Sequence, residues 1–485
     1  MPEQLRRTKI VATLGPATDA PDTLERIIRA GLDVTRLNFS HGSAGEHCDR
    51  ARRVRDAAAN CGRFVAILAD LQGPKLRIAR FRDNKVTLKA GQTFILDAAM
   101  DKEAGDDQRV GIDYEQLIQD VTTGDILVLD DGRIEMEVTA VDDRSITSTV
   151  LIGGPLSNNK GLNKRGGGLS ADALTTKDRE DITTAAELGA DYVAVSFVRT
   201  ADDMHTARQL LRDAGSSAAL VAKIERAELA HDTQALDAVI LASDAVMVAR
   251  GDLAVEIGDA ELVAVQKHII ARARALDRVV ITATQMMESM IDNPMPTRAE
   301  VSDVANAVMD YTDAVMLSAE TAVGDYPVQA VEAMDRICKG AERHPSMHQS
   351  GHRMHESMER VDEAIALSAM YAANHLQGVT AIICLTETGA TPLLMSRIKS
   401  GLPIFAFSRH FTTQHRVALY RGVQTVPFDS AEIPPEETNA LAVGELQNRG
   451  IVKPGDLVVV TKGDYVNAQG GTNTMKILRV GDDIR

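Results

Sequence analysis

The stretch LVAKIERAEL, residues 220–229, places a cation and a carboxylate side by side where an apolar run ends. Alternate residues of a strand point to the same side, so Lys223 and Glu225 would share one face. For such a pair taken alone, a structural ion pair is the plainer interpretation. The functional interpretation depends on whether other strand ends carry matching groups.

A second acidic strand end follows in VMVARGDL, residues 246–253. Arg250 and Asp252 are again two residues apart, next to a glycine. Together, Glu225 and Asp252 would suit a hard divalent ion such as Mg²⁺, which takes oxygen ligands and substrate phosphates. Lys223 and Arg250 would then face the anion that the metal binds.

The size and charge of the chain narrow the class of protein. A length of 485 residues predicts two to four domains, and 44% hydrophobic with 25% charged residues is typical of a globular protein. The net charge of −16 argues against nucleic acid or an anionic membrane as partner. No apolar run is long enough to span a membrane, and the N-terminus lacks a signal-peptide core. We therefore expect a cytoplasmic location.

The cysteines indicate neither a disulfide framework nor a zinc site. They are scattered and form no C-x-x-C pair, so we expect reduced packing residues in a reducing compartment. They are Cys48, Cys61, Cys338 and Cys384.

Alternating strand and helix patterns predict a (β/α)₈ barrel of the TIM type, formed by residues 1–70 and 170–341. The predicted strands are 8–15, 34–42, 64–70, 192–198, 219–225, 245–249, 279–283 and 314–318. Sites in this fold lie where the strands end. The unusual polar residues occur there: Arg36, Asn38, Ser40, Asp70, Lys223, Glu225, Arg250, Asp252, Thr284, Ser318 and Glu320.

Two further regions interrupt or follow this rhythm. Residues 71–169 show short β segments with a hairpin signal at Asp131-Gly132, which predicts a small inserted β-barrel domain. Its last part, NNKGLNKRGGGL (158–169), is either a flexible linker or a hinge with a phosphate-binding lysine. Residues 342–358 are interpreted as a linker. A smaller doubly wound α/β domain is predicted for 359–485.

Seven motifs, in this order along the chain, resemble the pyruvate kinase family over essentially the whole length. They are TKIVATLGPAT (8–18), RLNFSHG (36–42), AKIERAE (222–228), MVARGDL (247–253), ATQMMESM (283–290), PTRAEVSDVANAV (296–308) and LSAETAVGDYP (317–327). The resemblance implies transfer of phosphate from phosphoenolpyruvate to ADP, which yields pyruvate and ATP. It also implies Mg²⁺, with Mn²⁺ as an alternative, an inserted domain that closes as a lid, and a homotetramer.

The resemblance also assigns roles to the strand-end residues. Glu225 and Asp252 would hold Mg²⁺, and Gly251 and Asp252 would offer backbone N–H groups to the substrate carboxylate. Arg36 would bind the transferring phosphate. Lys223 would neutralise charge on that phosphate and on the enolate, in a reaction that needs charge neutralisation and alignment more than covalent help. Thr284 would lie near the carbon that is protonated, where it orients a water.

Nucleotide contacts are implied for two residues on the inserted domain and its hinge, Arg77 and Lys160. Closure of that domain would exclude water, which otherwise competes with ADP for the phosphate.

One departure from the family concerns K⁺. Many members bind this ion at positions matching Asn38, Ser40, Asp70 and the carbonyl of Leu71. Where those members carry a glutamate, this chain has Lys75. We therefore predict that the lysine ammonium replaces the ion and that turnover does not require K⁺. The alternative is that Lys75 is an ordinary surface lysine and that K⁺ still binds.

A second departure concerns regulation through the C-terminal domain. The loop TETGAT (386–391) matches a sugar-phosphate site of the family, and Thr386, Thr388, Gly389 and Thr391 would suit a phosphate nest. Glu387 would repel a phosphate, and the family's frequent arginine is replaced by Ala390. Activation by fructose 1,6-bisphosphate is thus not expected. The sequence leaves three alternatives open: glucose 6-phosphate as the effector, AMP as the effector, or no effector.

Two other functions compete with the kinase. A Mg²⁺-dependent barrel lyase acting through the pyruvate enolate would use the same carboxylates and arginine, but would have no use for Arg77, Lys160 or a closing domain. A metabolite sensor that binds without turnover would not need Lys223 and Thr284 intact.

Overall fold

The structure is a computed structural model that describes residues 5–20, 22–348, 357–431, 433–464 and 471–482. Its centre is a closed barrel of eight parallel strands in sequential order. These strands are Lys9–Thr13, Val34–Asn38, Ala66–Asp70, Tyr192–Val195, Ala219–Ile224, Ala245–Ala249, Val279–Ala283 and Ala314–Leu317. The predicted barrel is confirmed, although several strands end up to four residues earlier than expected.

The barrel strands are short apolar runs because both of their faces are buried, one in the barrel interior and one under the helices. Val279–Ala283, for example, is buried at all five positions. The helices packed around the barrel are Thr23–Ala30, Ala44–Asn60, Thr176–Glu187, Ala201–Asp213, Ala227–His231, Thr233–Ala242, Arg250–Ile257, Asp259–Ala275, Arg298–Met309, Ala319–Ala322 and Pro327–Ala341.

Local sequence signals begin several of these helices. A capping box begins the helix Arg298–Met309: the Thr297 hydroxyl accepts from the Glu300 N–H at 3.2 Å, and the Glu300 carboxylate accepts from the Thr297 N–H at 2.7 Å. Thr175 and Asp178 form the same box before the helix that follows the inserted region. Each box satisfies N–H groups that the helix itself leaves unpaired.

The region between the third and fourth barrel strands is β-rich, as predicted. One sheet has six strands and a second has two, and they share one hydrophobic core. The strands are Lys85–Leu88, Thr93–Asp97, Arg109–Gly111, Ile126–Leu129, Ile134–Val141, Ser145–Ile152, Gly154–Ser157 and Leu162–Lys164, with one short helix, Leu117–Asp120. The hairpin at Asp131-Gly132 is confirmed, with positive φ at both residues.

The C-terminal region is a five-stranded sheet flanked by helices. Its strands are Val379–Leu385, Ile404–Ser408, Val423–Pro427, Leu457–Gly463 and Thr472–Arg479, and its helices are Val361–His375, Ala390–Ser396, Phe411–Arg416 and Pro435–Asn448. Apolar runs at 381–385, 403–407 and 457–460 predict three of these strands. Neither Val423–Pro427 nor the antiparallel edge strand Thr472–Arg479 was predicted, and the edge strand is too exposed to form an apolar run.

The C-terminal region packs on the end of the barrel where the strands begin. The barrel interior and one face of the five-stranded sheet belong to a single hydrophobic cluster. Arg397 forms an ion pair with Asp313 across this contact, and both side chains are buried. Glu342, in the stretch interpreted as a linker, is also buried there. The rest of that stretch includes 349–356, which lie outside the described residues, and the predicted domain boundaries stay predictions.

All four cysteines are free thiols, two of them fully buried. Within the described ranges, the structure contains no helix that is both long and apolar enough to cross a membrane.

Candidate active site

Lys223 occupies the centre of the polar cluster at the carboxyl end of the barrel strands. Its Nζ donates to Ser196 Oγ at 2.7 Å. The same atom lies 2.8 Å from Glu225 Oε1 and 3.4 Å from Asp70 Oδ1. Two strand ends therefore supply one cation and two carboxylates within direct reach of each other, and a third strand end supplies the Ser196 hydroxyl.

Asp70 connects this lysine to Arg36 on the adjacent strand. Arg36 Nε donates to Asp70 Oδ2 at 2.6 Å, and its Nη1 donates to Thr13 Oγ1 at 3.0 Å. The Asp70 side chain is fully buried. Burial would raise its pKa, but the charges of Lys223 and Arg36 overcome this effect and hold the pKa of Asp70 below its ordinary value.

Glu225 and Asp252 differ from Asp70 because their negative charge is not fully balanced. Burial, opposed in part by Lys223, raises the pKa of Glu225 to about 7. The charge of Asp252 adds to that rise, and burial likewise raises the pKa of Asp252. Two carboxylates that destabilise each other in this way would be relieved by a cation between them.

The donor chemistry of this pair fits a hard divalent ion. Glu225 Oε2 accepts from the Phe197 N–H at 2.6 Å, whereas Oε1 is buried with the Lys223 ammonium beside it and no hydrogen bond. Within the part of the chain that the structure describes, no group of three or more His, Cys, Asp or Glu could hold a metal. A metal here would therefore rest on two protein carboxylates plus oxygens from substrate or water, as Mg²⁺ prefers.

The neighbouring carboxylates stabilise the charged form of Lys223. Burial lowers its pKa, but Asp70 and Glu225 outweigh that effect and keep the pKa of Lys223 above its ordinary value. The lysine is consequently a fixed positive charge at the centre of the cluster.

Thr284 begins the loop after the seventh barrel strand in a left-handed conformation, with φ of 65°. Its hydroxyl donates to the Ala283 carbonyl at 2.6 Å and accepts from the Gly251 N–H at 2.8 Å. The structure thus brings Thr284 and Gly251 together. The Gly251 N–H, predicted to bind a substrate carboxylate, is engaged by the threonine in this arrangement.

The expectation that Arg250 faces a bound anion is wrong. Its Nη1 donates to both carboxylate oxygens of Asp303, at 2.7 and 2.9 Å, and its Nη2 donates to the carbonyls of Thr284 and Gln285. These acceptors belong to the loop after the seventh strand and to the helix Arg298–Met309, so the guanidinium is engaged by the protein itself. Arg250 is therefore a structural residue that fixes the Thr284 loop.

The positions predicted for K⁺ lie together, but several of their oxygens already have partners. Asn38 Oδ1 accepts from the Ser40 N–H at 3.1 Å, and the Leu71 carbonyl accepts from Ser196 Oγ at 2.7 Å. Lys75 is exposed, and its charge opposes the rise in the pKa of Asp252. The lysine thus contributes positive charge on the Asp252 side of the cluster.

The two residues predicted to contact nucleotide lie on neighbouring stretches of backbone. Arg77 forms an isolated antiparallel bridge with Gly161, the residue that follows Lys160. Lys160 Nζ lies 2.6 Å from Asp130 Oδ1 in the Asp131-Gly132 hairpin. The charge of Asp131, in the same hairpin, adds to the rise in the pKa of Asp252.

Sequence reasoning missed three residues of the cluster: Thr13, Ser196 and Phe197. Thr13 holds Arg36, and Ser196 links Lys223 to the Leu71 carbonyl. Phe197, with φ of 53°, presents its N–H to Glu225. Ser196 follows the apolar run 192–195 directly, so the same polar strand-end signal used elsewhere would have found it.

The residues predicted to bind an effector lie far from this cluster, on the C-terminal sheet. Thr386, Thr388 and Thr391 line a cavity of about 150 Å³ that Arg409 and Lys462 also line. Gly389 does not line this cavity. Its N–H donates to Thr386 Oγ1 at 3.0 Å. Glu387 pairs with His410 and with Arg409, so its charge is partly balanced.

Similarity to known proteins covers both regions. The family model described as "Pyruvate kinase, barrel domain" matches residues 5–331, and "Pyruvate kinase, alpha/beta domain" matches 363–478. The chain is 60% identical over 480 residues to pyruvate kinase II of Salmonella typhimurium, covering 99% of this chain and 100% of that protein. It is 57% identical over 474 residues to a pyruvate kinase of Haemophilus influenzae, covering 98% of each. Identity to a Geobacillus stearothermophilus pyruvate kinase is 41% over 482 residues, covering 98% of this chain and 81% of that protein.

Proposed function

The chain belongs to the pyruvate kinase family and is a phosphotransferase, and we propose that the strand-end cluster carries out its transfer of phosphate from phosphoenolpyruvate to ADP. The observation that carries the assignment is the arrangement around Lys223, whose ammonium lies 2.8 Å from Glu225 and 3.4 Å from Asp70. A fixed cation beside carboxylates short of positive charge matches a reaction catalysed by charge neutralisation and alignment.

Arg36 binds the phosphate that is transferred. Its Nε and Nη1 are held by Asp70 and Thr13, at 2.6 and 3.0 Å, which leaves Nη2 as a donor in a fixed orientation. Holding the guanidinium in advance removes the entropy cost of ordering it when substrate binds.

Lys223 neutralises charge on the phosphoryl group and then on the enolate oxygen that remains after transfer. Ser196 and the two carboxylates hold its ammonium in place, so it needs no reorganisation during the reaction.

Glu225 and Asp252 hold Mg²⁺, with Mn²⁺ as an alternative. When bound, the ion supplies Lewis-acid charge to the substrate oxygens. The two carboxylates balance its charge and orient the substrate at the strand ends.

Thr284 orients a water for protonation of the enolate carbon. Its hydroxyl accepts from Gly251 and donates to Ala283, which fixes the oxygen at the mouth of the barrel. A threonine hydroxyl is too weak an acid to protonate carbon efficiently by itself.

Arg77 and Lys160 bind the nucleotide phosphates from the inserted region. That region closes over the strand ends and excludes water. Its hairpin tip is near enough for the charge of Asp131 to act on Asp252, which supports this role.

Turnover is K⁺-independent in this proposal because Lys75 supplies the positive charge. Two observations support it. The oxygens of Leu71 and Asn38 are already hydrogen-bonded within the chain, and the charge of Lys75 acts on Asp252.

Regulation acts through the C-terminal cavity, which takes an anionic effector between Arg409, Lys462 and the threonines at 386, 388 and 391. The two basic side chains of the lining and the partial balance of Glu387 by Arg409 and His410 support this assignment, although Asp464 also lines the cavity. The assembly is a homotetramer, proposed from family membership.

Pyruvate release from phosphoenolpyruvate with Mg²⁺, with and without ADP, tests the proposal. The buffer is free of K⁺ and NH₄⁺, and the assay is repeated with K⁺ added. We expect ADP-dependent pyruvate at a similar rate in both buffers. Lys223→Met should abolish it, whereas Lys267→Met, which removes an ion pair with Asp310 on the outer helices, should retain it.

Activity that appears only after K⁺ is added would overturn the role of Lys75 and keep the transfer reaction. No ADP-dependent pyruvate in either buffer, also with sugar phosphates present, would overturn the assignment of the cluster.

A further inference from the structure

The glycine-rich segment 166–169, which we call the return segment, leads the chain from the inserted region back to the barrel. Gly166, Gly167 and Gly168 have φ of 82°, 77° and 87°, three consecutive residues in the left-handed region. Residues with a side chain rarely adopt this conformation. The segment therefore has a backbone path that the glycines specifically permit.

Three hydrogen bonds attach the return segment to the barrel. The Gly168 N–H donates to Glu228 Oε1 at 2.6 Å, and the Gly166 N–H donates to the Glu256 carbonyl at 2.9 Å. Arg226 Nη2 donates to the Leu169 carbonyl at 2.7 Å. A Cβ on Gly167 would lie 2.6 Å from Glu228 Oε2, so a larger residue here would have to displace the Glu228 carboxylate.

Arg226 and Glu256 hold Glu228 and its loop in place. Arg226 Nη2 lies 3.1 Å from Glu228 Oε1, and its Nε lies 3.8 Å from Glu256 Oε1. Glu256 Oε2 accepts from the Ala227 N–H at 2.8 Å. Arg226 and Glu256 are buried, so their charge-assisted contact is shielded from solvent, whereas the Glu228 side chain is 41% exposed.

These anchoring residues stand next to the two carboxylates proposed to bind the metal. Arg226 follows Glu225 directly, and Glu256 lies one helical turn beyond Asp252 on the helix Arg250–Ile257. Displacement of the return segment would therefore act on both metal-binding segments at once.

The segment around Gly73, which leads the chain from the barrel into the inserted region, has a different anchor. The Gly73 N–H donates to Asp178 Oδ1 at 3.0 Å, and Asp178 also caps the helix Thr176–Glu187. That helix carries none of the residues proposed to bind metal or substrate. The direct hydrogen bonds to the segments beside Glu225 and Asp252 come from the return segment, whereas Gly73 packs closely against Ser196.

We propose that Glu228 and Arg226 are positioning residues that fasten the return segment to the loops bearing Glu225 and Asp252, so that binding of Mg²⁺ with phosphoenolpyruvate and closure of the inserted region favour each other. The inference rests on the proposed function of this cluster. It assigns a role to the KRGGGL sequence, residues 164–169, beyond that of a linker.

Amide hydrogen exchange of peptides that cover 166–169 tests the coupling. The wild-type protein is measured alone, with Mg²⁺, and with Mg²⁺ plus phosphoenolpyruvate. We expect the ligands together to slow exchange in this segment by about tenfold or more, since a charge-assisted hydrogen bond contributes that much over an unmade one. In Glu228→Ala the ligands should no longer slow exchange, and Glu228→Gln, whose amide oxygen can accept, should restore part of the effect.

Two further variants separate the coupling from a general loss of structure. Gly167→Ala displaces Glu228 without removing its charge and should also abolish the ligand effect. Glu135→Gln removes an ion pair with Arg165 within the inserted region, at 2.5 Å, and should keep the ligand effect.

Exchange needs no turnover, so failure of the pyruvate assay and failure of this coupling are separate results. Wild-type exchange that does not respond to the ligands would overturn the coupling. A full wild-type response in Glu228→Ala would overturn the role of Glu228.

Discussion

The two ends of the barrel both carry buried carboxylates, but the pKa values of two acids at one end are raised and those of two acids at the other end are lowered. At the end where the strands finish, the pKa of Glu225 rises to about 7 and that of Asp252 also rises, mainly through burial. At the end where the strands begin, burial acts in the same sense, yet nearby cations hold the pKa of Glu342 and of Asp33 below their ordinary values.

The difference comes from the supply of positive charge. Glu342 lies 3.5 Å from Arg7 and 3.7 Å from Arg421, and accepts backbone N–H groups as well. At the other end, Lys223 is shared between two carboxylates, and Arg36 is engaged by Asp70. Buried acids with surplus cations hold the domains together, whereas buried acids short of cations form the site that we propose for an ion and an anionic substrate.

Replacement of a buried carboxylate whose charge is not fully balanced by nearby cations should abolish activity without lowering the stability of the fold. For Glu225→Gln we expect pyruvate formation to fall by about 10³-fold, the upper range for loss of one preorganised electrostatic group. Because the buried charge disappears, the midpoint of urea unfolding at pH 7 should not fall. A lowered midpoint with activity intact would reverse the roles assigned to the two ends.

Removal of a well-balanced carboxylate should do the opposite. Glu342→Gln leaves Arg7 and Arg421 without their buried partner, which costs about 3–5 kcal/mol in comparable pairs. Urea unfolding measures this loss, and kcat of the folded protein should stay within a few-fold of wild type. Glu445→Gln, in an exposed pair with Arg449, is the control and should cost less than about 1 kcal/mol. Equal costs for the two variants would contradict the comparison.

Lys75 sharpens the comparison because it adds positive charge to the under-supplied end. For Lys75→Glu we expect turnover in K⁺-free buffer to drop by about 10- to 100-fold, because a stabilising positive charge is lost. Added K⁺ should restore most of the activity. The measurement is the initial rate against K⁺ concentration. Lys85→Glu, on an exposed strand of the inserted region, should show no K⁺ response.

The direction of the pKa shifts also predicts a difference in pH dependence. Glu342 has a folded pKa below its ordinary value of 4.5, so its stabilising contribution is present above pH 4.5 and is lost as the pH falls through the folded pKa. Wild type and Glu342→Gln should therefore differ most in unfolding free energy near neutral pH and converge below about pH 4.5. A constant difference down to pH 3 would argue against this ionic contact.

The repetitive part of the fold could be predicted from the sequence because each barrel strand is an apolar run closed by polar residues. The edge strand Thr472–Arg479 could not, since half of its side chains face solvent and it pairs only through its backbone. The seven motifs are sufficient by themselves to indicate the family.

Side-chain directions at the site were harder to predict. The spacing that correctly joined Lys223 to Glu225 also suggested that Arg250 faces the anion, but Asp303, more than fifty residues away in the chain, accepts its hydrogen bonds. Nor could spacing reveal Phe197, which contributes through a backbone N–H and a positive φ. Contacts made by long side chains and by the backbone depend on tertiary packing that no local pattern encodes.

Binding of Mn²⁺, followed by electron paramagnetic resonance in the presence of phosphoenolpyruvate, tests most directly whether under-balanced carboxylates form the ion site. We predict that the wild-type protein and Glu342→Gln bind one Mn²⁺ per chain and that Glu225→Gln and Asp252→Asn lose this binding. Unchanged Mn²⁺ binding in both of the latter variants, with their fold intact, would contradict the account.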